Sequence, residues 1–176
     1  NKLKEIYKDI QMVFQDAIGS FNPRFTIEES ITEYVCNLCS TTEADKKHKV
    51  DNLLRMVGLS KEYKYRYPHE LSGGQCQRAA IARALSAHPK ILVCDEATSA
   101  LDVSVQAQIV ELLKEMQEKM NISYLFITHD LALVSSFCDR VAVMKNGKIV
   151  EVGDAKEVIN NPKDEYTKLL IKSAYF

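Results

Sequence analysis

The 176 residues are 46% hydrophobic and 27% charged, the composition of one soluble globular domain with apolar matter enough for a real core. Twenty-three Lys and Arg against 24 Asp and Glu leave a formal charge of −1, so no overall field draws the chain to nucleic acid or to an anionic membrane surface. The longest apolar stretches, Ile91 to Cys94 and Val141 to Met144, fall far short of the ~20 residues that cross a bilayer. The opening Asn-Lys-Leu-Lys-Glu is unlike a signal peptide, and the expected compartment is the cytoplasm.

In chain order, Met12-Val13-Phe14 reads as a short strand that ends in Gln15-Asp16 and a polar loop with Gly19, Asn22 and Pro23. Glu28 to Leu38 sets Ile31, Tyr34, Val35 and Leu38 on one helical stripe, and Glu43 to Val57 repeats this with Val50, Leu53, Leu54 and Val57 before Gly58. The tyrosines 63, 65 and 67 with Pro68 form an irregular connection to a third helix that starts at Ser72 and ends before Pro89. Residues 25–88 are therefore mostly helical.

After Pro89 the pattern changes. Ile91 to Cys94 is a continuous apolar run, Val103 to Met120 a long helix, and Ser123 to Ile127 a second run, the alternation of a parallel sheet with helices on its faces. Asp130 to Phe137 is a short helix, Arg140 to Met144 and Lys148 to Val152 flank an Asn146-Gly147 hairpin turn, and two short helices separated by Pro162 close the chain. Five cysteines, an odd number without scaffold spacing, fit a reduced compartment. Cys36-x-x-Cys39 lacks the second pair of a zinc site and the preceding strand of a thioredoxin-type site.

Three strands end in polar groups: Gln15 after the first, Asp95-Glu96 after the second, Thr128-His129 after the third. In an open α/β sheet such ends share one crevice. Adjacent carboxylates there can divide the labour of phosphoryl transfer, one holding a hard cation through water while the other faces the reaction centre; a solvated acidic turn is the plainer alternative. Ser72 with Gln75 makes a capping box. Gly73 and Gly74 in the first turn cost helix propensity, and bare N–H groups at a positive helix end suit a phosphate. His129 alone reads first as a hydrogen-bonded structural residue, and Asp130 as a helix cap. The six glycines cannot form a Gly-x-x-x-x-Gly-Lys-Ser/Thr loop, so a nucleotide site would have to draw one from residues before Asn1 or from another chain.

In order, Gln15, Leu71-Ser72-Gly73-Gly74-Gln75, Ile91 to Glu96, Ser99-Ala100-Leu101-Asp102 and His129 resemble the Q-loop, signature motif, Walker B with its catalytic glutamate, D-loop and H-loop of ABC-transporter ATPase domains. Gln15 to Arg24, Thr98 to Gln108 and Tyr166 to Leu170 are similar to the oligopeptide, dipeptide and nickel importer branch, although Cys76 stands where many relatives carry Arg, and the lack of a terminal cysteine-rich segment argues against an iron–sulfur cluster. The resemblance implies an α/β fold with a P-loop NTPase-like (RecA-like) parallel-sheet core, N-terminally truncated before Walker A, and an inserted helical subdomain. Its parts are 1–24 (core remnant with Q-loop), 25–88 (helical subdomain with signature) and 89–176 (the rest of the core).

The roles it implies are Asp95 and Gln15 at Mg²⁺, Glu96 polarising the attacking water, His129 at the γ-phosphate, and Ser72, Gly73, Gly74 and Gln75 closing on ATP held by a second subunit, with Asp102 coupling the two sites. The implied parent hydrolyses ATP to drive uptake of peptides or nickel. Its partners are membrane permease subunits and a second ATPase subunit, identical or not, on the inner face of the membrane, and no nucleic acid. The strand before His129 is expected to offer an exposed edge that promotes pairing with another chain. Two other readings are a soluble, ribosome-associated ATPase of the same superfamily, which would carry two such domains, and a non-catalytic interaction module lacking the phosphate loop. A repair-type ATPase would need a long coiled coil between Gln15 and Leu71, where there is no room.

Overall fold

In a computed structural model the described residues are 2–38, 43–99 and 101–174; Cys39 of the Cys36-x-x-Cys39 pair and Ala100 of the Ser99–Asp102 segment lie outside them. Two compact units divide the chain, 1–127 and 128–176.

The first unit opens with α1 (Lys2–Asp9), which runs directly into β1 (Ile10–Val13). The sequence reading has the strand but not the helix, because it takes the apolar residues from Ile6 to Phe14 together as irregular; Leu3, Ile6, Tyr7 and Ile10 keep helical spacing, and Leu3, Ile6 and Tyr7 are more than half exposed. Then come α2 (Ile27–Leu38) and α3 (Glu43–Met56), two 3-10 turns at Lys61–Tyr65 and Pro68–Glu70, and α4 (Gly73–Leu85). These helices pack on one another through Ile27, Ile31, Leu54, Ile81 and Leu85, all fully buried. The Lys64 ammonium, 2.6 Å from Asp51 Oδ1, ties the first 3-10 turn to α3.

The sheet of this unit has the order β1-β2-β3, with β2 (Ile91–Asp95) parallel to both neighbours and β3 being Ser123–Ile127. Helix α5 (Val103–Met120) makes the crossover from β2 to β3, the connection that parallel strands require. It buries Ile109, Leu112, Leu113 and Met116 at helical spacing and accepts a 2.9 Å hydrogen bond from Tyr124 Oη of β3 at Leu113 O. Strand β3 stands at the sheet's edge with Leu125 55% and Ile127 48% exposed.

The second unit contains α6 (Leu131–Phe137), the antiparallel pair β4 (Arg140–Lys145) and β5 (Lys148–Asp154), α7 (Ala155–Asn160) and α8 (Glu165–Ala174). The hairpin turn has φ of 48° at Asn146 and 75° at Gly147, the two positive values that a two-residue type I′ turn demands. Asp154 caps α7 through the Lys156 and Glu157 amides, and Glu151 accepts hydrogen bonds from the Lys163 and Asp164 amides.

Burial pushes the Cys94 thiol, on the central strand, up to about 12 and the Cys76 thiol, on α4, up to about 11. Both are then protonated and unreactive at neutral pH. Iodoacetamide at pH 8 is expected to leave the Cys76 and Cys94 peptides unmodified in the folded chain and to label both in guanidinium, read by mass spectrometry. Labelling of Cys94 in the folded chain would contradict this packing.

Candidate functional site

The parallel pairing sets the carboxyl ends of β1 and β2 side by side, with Val13 opposite Cys94. Gln15 leaves β1 two residues later, and its Nε2 donates to Ser99 Oγ at 3.2 Å. Ser99 Oγ in turn donates to the Glu96 carbonyl at 3.0 Å, and the Ser99 amide to the same oxygen at 3.1 Å. The structure thus brings Gln15 and the Asp95-Glu96 turn together, through a serine whose hydroxyl the sequence reading gave no contact.

Asp95 is the last residue of β2, paired with Ile127. Glu96 follows with φ of 46°, while its amide still donates to the Ile127 carbonyl at 2.9 Å. A glutamate in the left-handed region is strained. Here the ladder bond holds its nitrogen in place while the chain turns away. Both residues are partly exposed, in reach of solvent and solutes.

At the start of α4, Ser72 Oγ accepts from the Gln75 amide at 3.3 Å and Gln75 Oε1 from the Ser72 amide at 3.0 Å, the expected capping box. The second end of the Gln75 amide donates to Tyr63 Oη at 2.9 Å, a partner that lies in the irregular tyrosine connection and carries no signal in spacing. The two glycines separate by cause. A Cβ on Gly74 would meet Val105 Cγ1 at 2.7 Å, whereas one on Gly73 would make an ordinary 3.7 Å contact with Leu101. Gly74 is therefore explained by the close approach of α4 to α5, and Gly73 is the one whose bare backbone has no packing cause.

Asp102 is the N-cap of α5. Its Oδ1 accepts from Ser104 Oγ at 2.6 Å and from the Val105 amide at 3.0 Å, and these bonds, the hydroxyl first, hold its carboxyl below the usual range. His129 belongs to the second unit, between Thr128, whose hydroxyl accepts from the Asp130 amide at 3.0 Å, and Asp130, which caps α6 through the Ala132 and Leu133 amides. Asp130 thus has the capping role read from the sequence.

No group of three or more His, Cys, Asp or Glu suited to a metal occurs among the described residues. A carboxylate and a glutamine amide are nevertheless the hard oxygen donors that suit Mg²⁺, which takes one or two protein ligands and completes its shell with water and substrate phosphate.

The two glycines give a paired test. By denaturant midpoint, Gly74→Ala is expected to cost about 1–3 kcal/mol, since the β-branched Val105 has little room to turn, while Gly73→Ala costs nothing. Glu96→Gly, by the same measurement, raises stability by up to about 1 kcal/mol by removing the left-handed penalty; a loss would show that the glutamate is not strained.

The family model described as ABC transporter matches residues 1–99, more than half of the chain. The oligopeptide transport ATP-binding protein OppF of Bacillus subtilis is 47% identical over 98% of this chain and 57% of its own length. That of Haemophilus influenzae is 51% identical over 97% of this chain and 52% of its own, and the glutathione import ATP-binding protein GsiA of Pectobacterium atrosepticum is 49% identical over 97% and 27%. The chain spans about half the length, or less, of these curated relatives. Among solved structures, cbiO1 of Clostridium perfringens, part of the ABC transporter complex cbiONQ, superposes with a TM-score of 0.78 at 34% identity, covering 89% of this chain and 61% of that one. By motif order, strand topology and family match, this chain belongs to the ABC transporter family, in its peptide-importer branch.

Proposed function

We propose that the chain is part of an ATP-binding subunit that hydrolyses ATP to drive uptake of peptides through a membrane permease. The observation that carries this reading is the Asp95-Glu96 turn at the carboxyl end of the central strand, with Gln15 hydrogen-bonded to the same turn through Ser99. The peptide substrate is favoured by the relatives, named for oligopeptide, dipeptide and glutathione transport.

In this reading ATP and Mg²⁺ supply the phosphoryl group and the positive charge that offsets its oxygens. Asp95 and Gln15 are the residues that would hold the cation, while Glu96 would orient a water and accept its proton as general base. The left-handed turn sets the direction in which the Glu96 side chain leaves the backbone. Ser72, Gly73, Gly74 and Gln75 present the positive end of α4 to phosphate held by a second subunit. Asp102 links the two sites, and His129 contributes a hydrogen bond to the terminal phosphate. Residues 1–24 and 89–176 serve as ATPase core and 25–88 as the helical subdomain that meets the permease, at the cytoplasmic face of the membrane. No helix among the described residues is long and apolar enough to cross that membrane itself.

The test uses the complete protein from which this stretch comes. Glu96→Gln is expected to slow ATP hydrolysis by about 100-fold or more while calorimetry with Mg-ATP shows binding within about threefold of the parent. Hydrolysis at the parental rate would remove Glu96 from the role of base. A chain extended upstream that binds no Mg-ATP at all would overturn the functional reading.

A further inference from the structure

We propose that Arg83 is a positioning residue for Gln15: through Ser20 and Phe21 it grips the far end of the turn that carries this glutamine. Arg83 lies in the last turn of α4. Its Nη1 donates to the Ser20 carbonyl at 2.8 Å and its Nη2 to Ser20 Oγ at 2.9 Å, and the guanidinium carbon lies 4.2 Å over the Phe21 ring. A planar fork that meets two acceptors of one residue and stacks on the next is a geometry open to arginine and not to lysine. Basic groups are favoured near any helix C-terminus, but that attraction alone would not bring both nitrogens onto Ser20.

The segment between Ser20 and Gln15 is internally tied and so transmits the grip. Ser20 Oγ donates to the Ala17 carbonyl at 2.7 Å, the Ser20 amide to Asp16 O at 3.1 Å, and the Gly19 amide to Asp16 Oδ1 at 2.9 Å. Ala17 and Phe21 are buried, 6% and 5% exposed, and anchor the turn from beneath. From its near end Gln15 reaches Ser99 Oγ, and Ser99 reaches the Glu96 carbonyl. One chain of contacts therefore runs from the last turn of α4 to the backbone of Glu96. Energetic coupling along such a chain is a claim that mutation decides, since adjacency alone does not establish it. The meaning of the grip for catalysis rests on the function proposed above; the contact itself does not.

The experiment is nuclear magnetic resonance and amide exchange on this 176-residue chain without nucleotide, so its outcome is separate from that of the ATPase tests. In Arg83→Met the Gln15 side-chain amide signal shifts, and exchange at Gly19, Ser20 and Phe21 speeds by about tenfold, while Ala79 to Ala82 in α4 stay within about twofold. Arg83→Lys, which keeps the charge and one donor, restores part of both changes. Ser20→Ala, which removes the Nη2 acceptor and the Ser20 Oγ bond to Ala17 O without touching α4, shifts the Gln15 signal in the same direction. Gln15→Ala leaves exchange at Ser20 and Phe21 unchanged, because the dependence runs from Arg83 outward. An unmoved Gln15 signal in Arg83→Met and Ser20→Ala overturns the proposal. So does faster exchange throughout α4 and the turn together, which would make Arg83 a general stabiliser only.

Discussion

Strand β2 pairs in parallel with β1 on one side, Ile10 to Val13 against Ile91 to Cys94, and with β3 on the other, Ser123 to Ile127 against Ile91 to Asp95. Because parallel strands run the same way, their carboxyl ends fall on one edge, where Gln15 leaves β1 beside the turn at the end of β2. Leu92, fully buried, fixes which face of β2 points inward; a slip of one residue would reverse every side chain on the strand. The position of Asp95 and the turn at Glu96 follow from that register. The bond from the Glu96 amide to Ile127 O extends the ladder one residue past the strand, so the turn is anchored on a rigid element and not on a loop, which suits a group that must meet a reacting atom.

Helix α4 ties the remaining parts to this edge along its length. At its start the capping box and the Tyr63 hydroxyl hold Ser72 and Gln75, and Gly74 lets the helix approach Val105 of α5. One and a half turns on, Arg78 donates to Val57 O at the end of α3 and to Gln108 of α5. Near its end Arg83 holds Ser20. The ties made by Gln75, Arg78 and Arg83 are amide or guanidinium side chains reaching residues 12 to 63 positions away in the chain. The apolar faces supply the bulk of the burial, non-directionally, and these few directional bonds set the relative placement of α3, α4, α5 and the Gln15 turn.

The elements with a helical stripe or a continuous apolar run were legible. Val103 to Met120 and Ser123 to Ile127 stand at the bounds read from their apolar spacing, and Asn146-Gly147 forms the turn that its two positive φ values require. Helix α1 was not, although Leu3, Ile6, Tyr7 and Ile10 keep helical spacing: taking Ile6 to Phe14 as one irregular stretch merges the end of the helix with the strand that follows, and the stripe itself is largely exposed. At the site, the order of polar strand ends pointed to the edge where Gln15 and Glu96 meet. The long-range partners carried no such mark: Ser99 sits 84 residues from Gln15, and Arg83 sits 63 from Ser20. Side-chain hydrogen bonds of this span depend on the tertiary fold, to which local propensity and spacing are blind.

The glycines and Glu96 show how a broken local rule is to be weighed. Two glycines in a first helical turn violate propensity equally, yet packing accounts for Gly74 and leaves Gly73 unexplained; the sequence argument for an anion site thus rests on one residue and not two. Backbone strain separates in the same way. Among the described residues four non-glycines have positive φ, namely His88, Glu96, Asn121 and Asn146. The two asparagines tolerate that region and do structural work, as the C-cap of α5 and in the hairpin turn. Glu96 has no such tolerance, and a glycine there would relieve the strain, but it would carry no carboxylate. The carboxylate is what Glu96 offers at that position, in keeping with the role of general base proposed for it above.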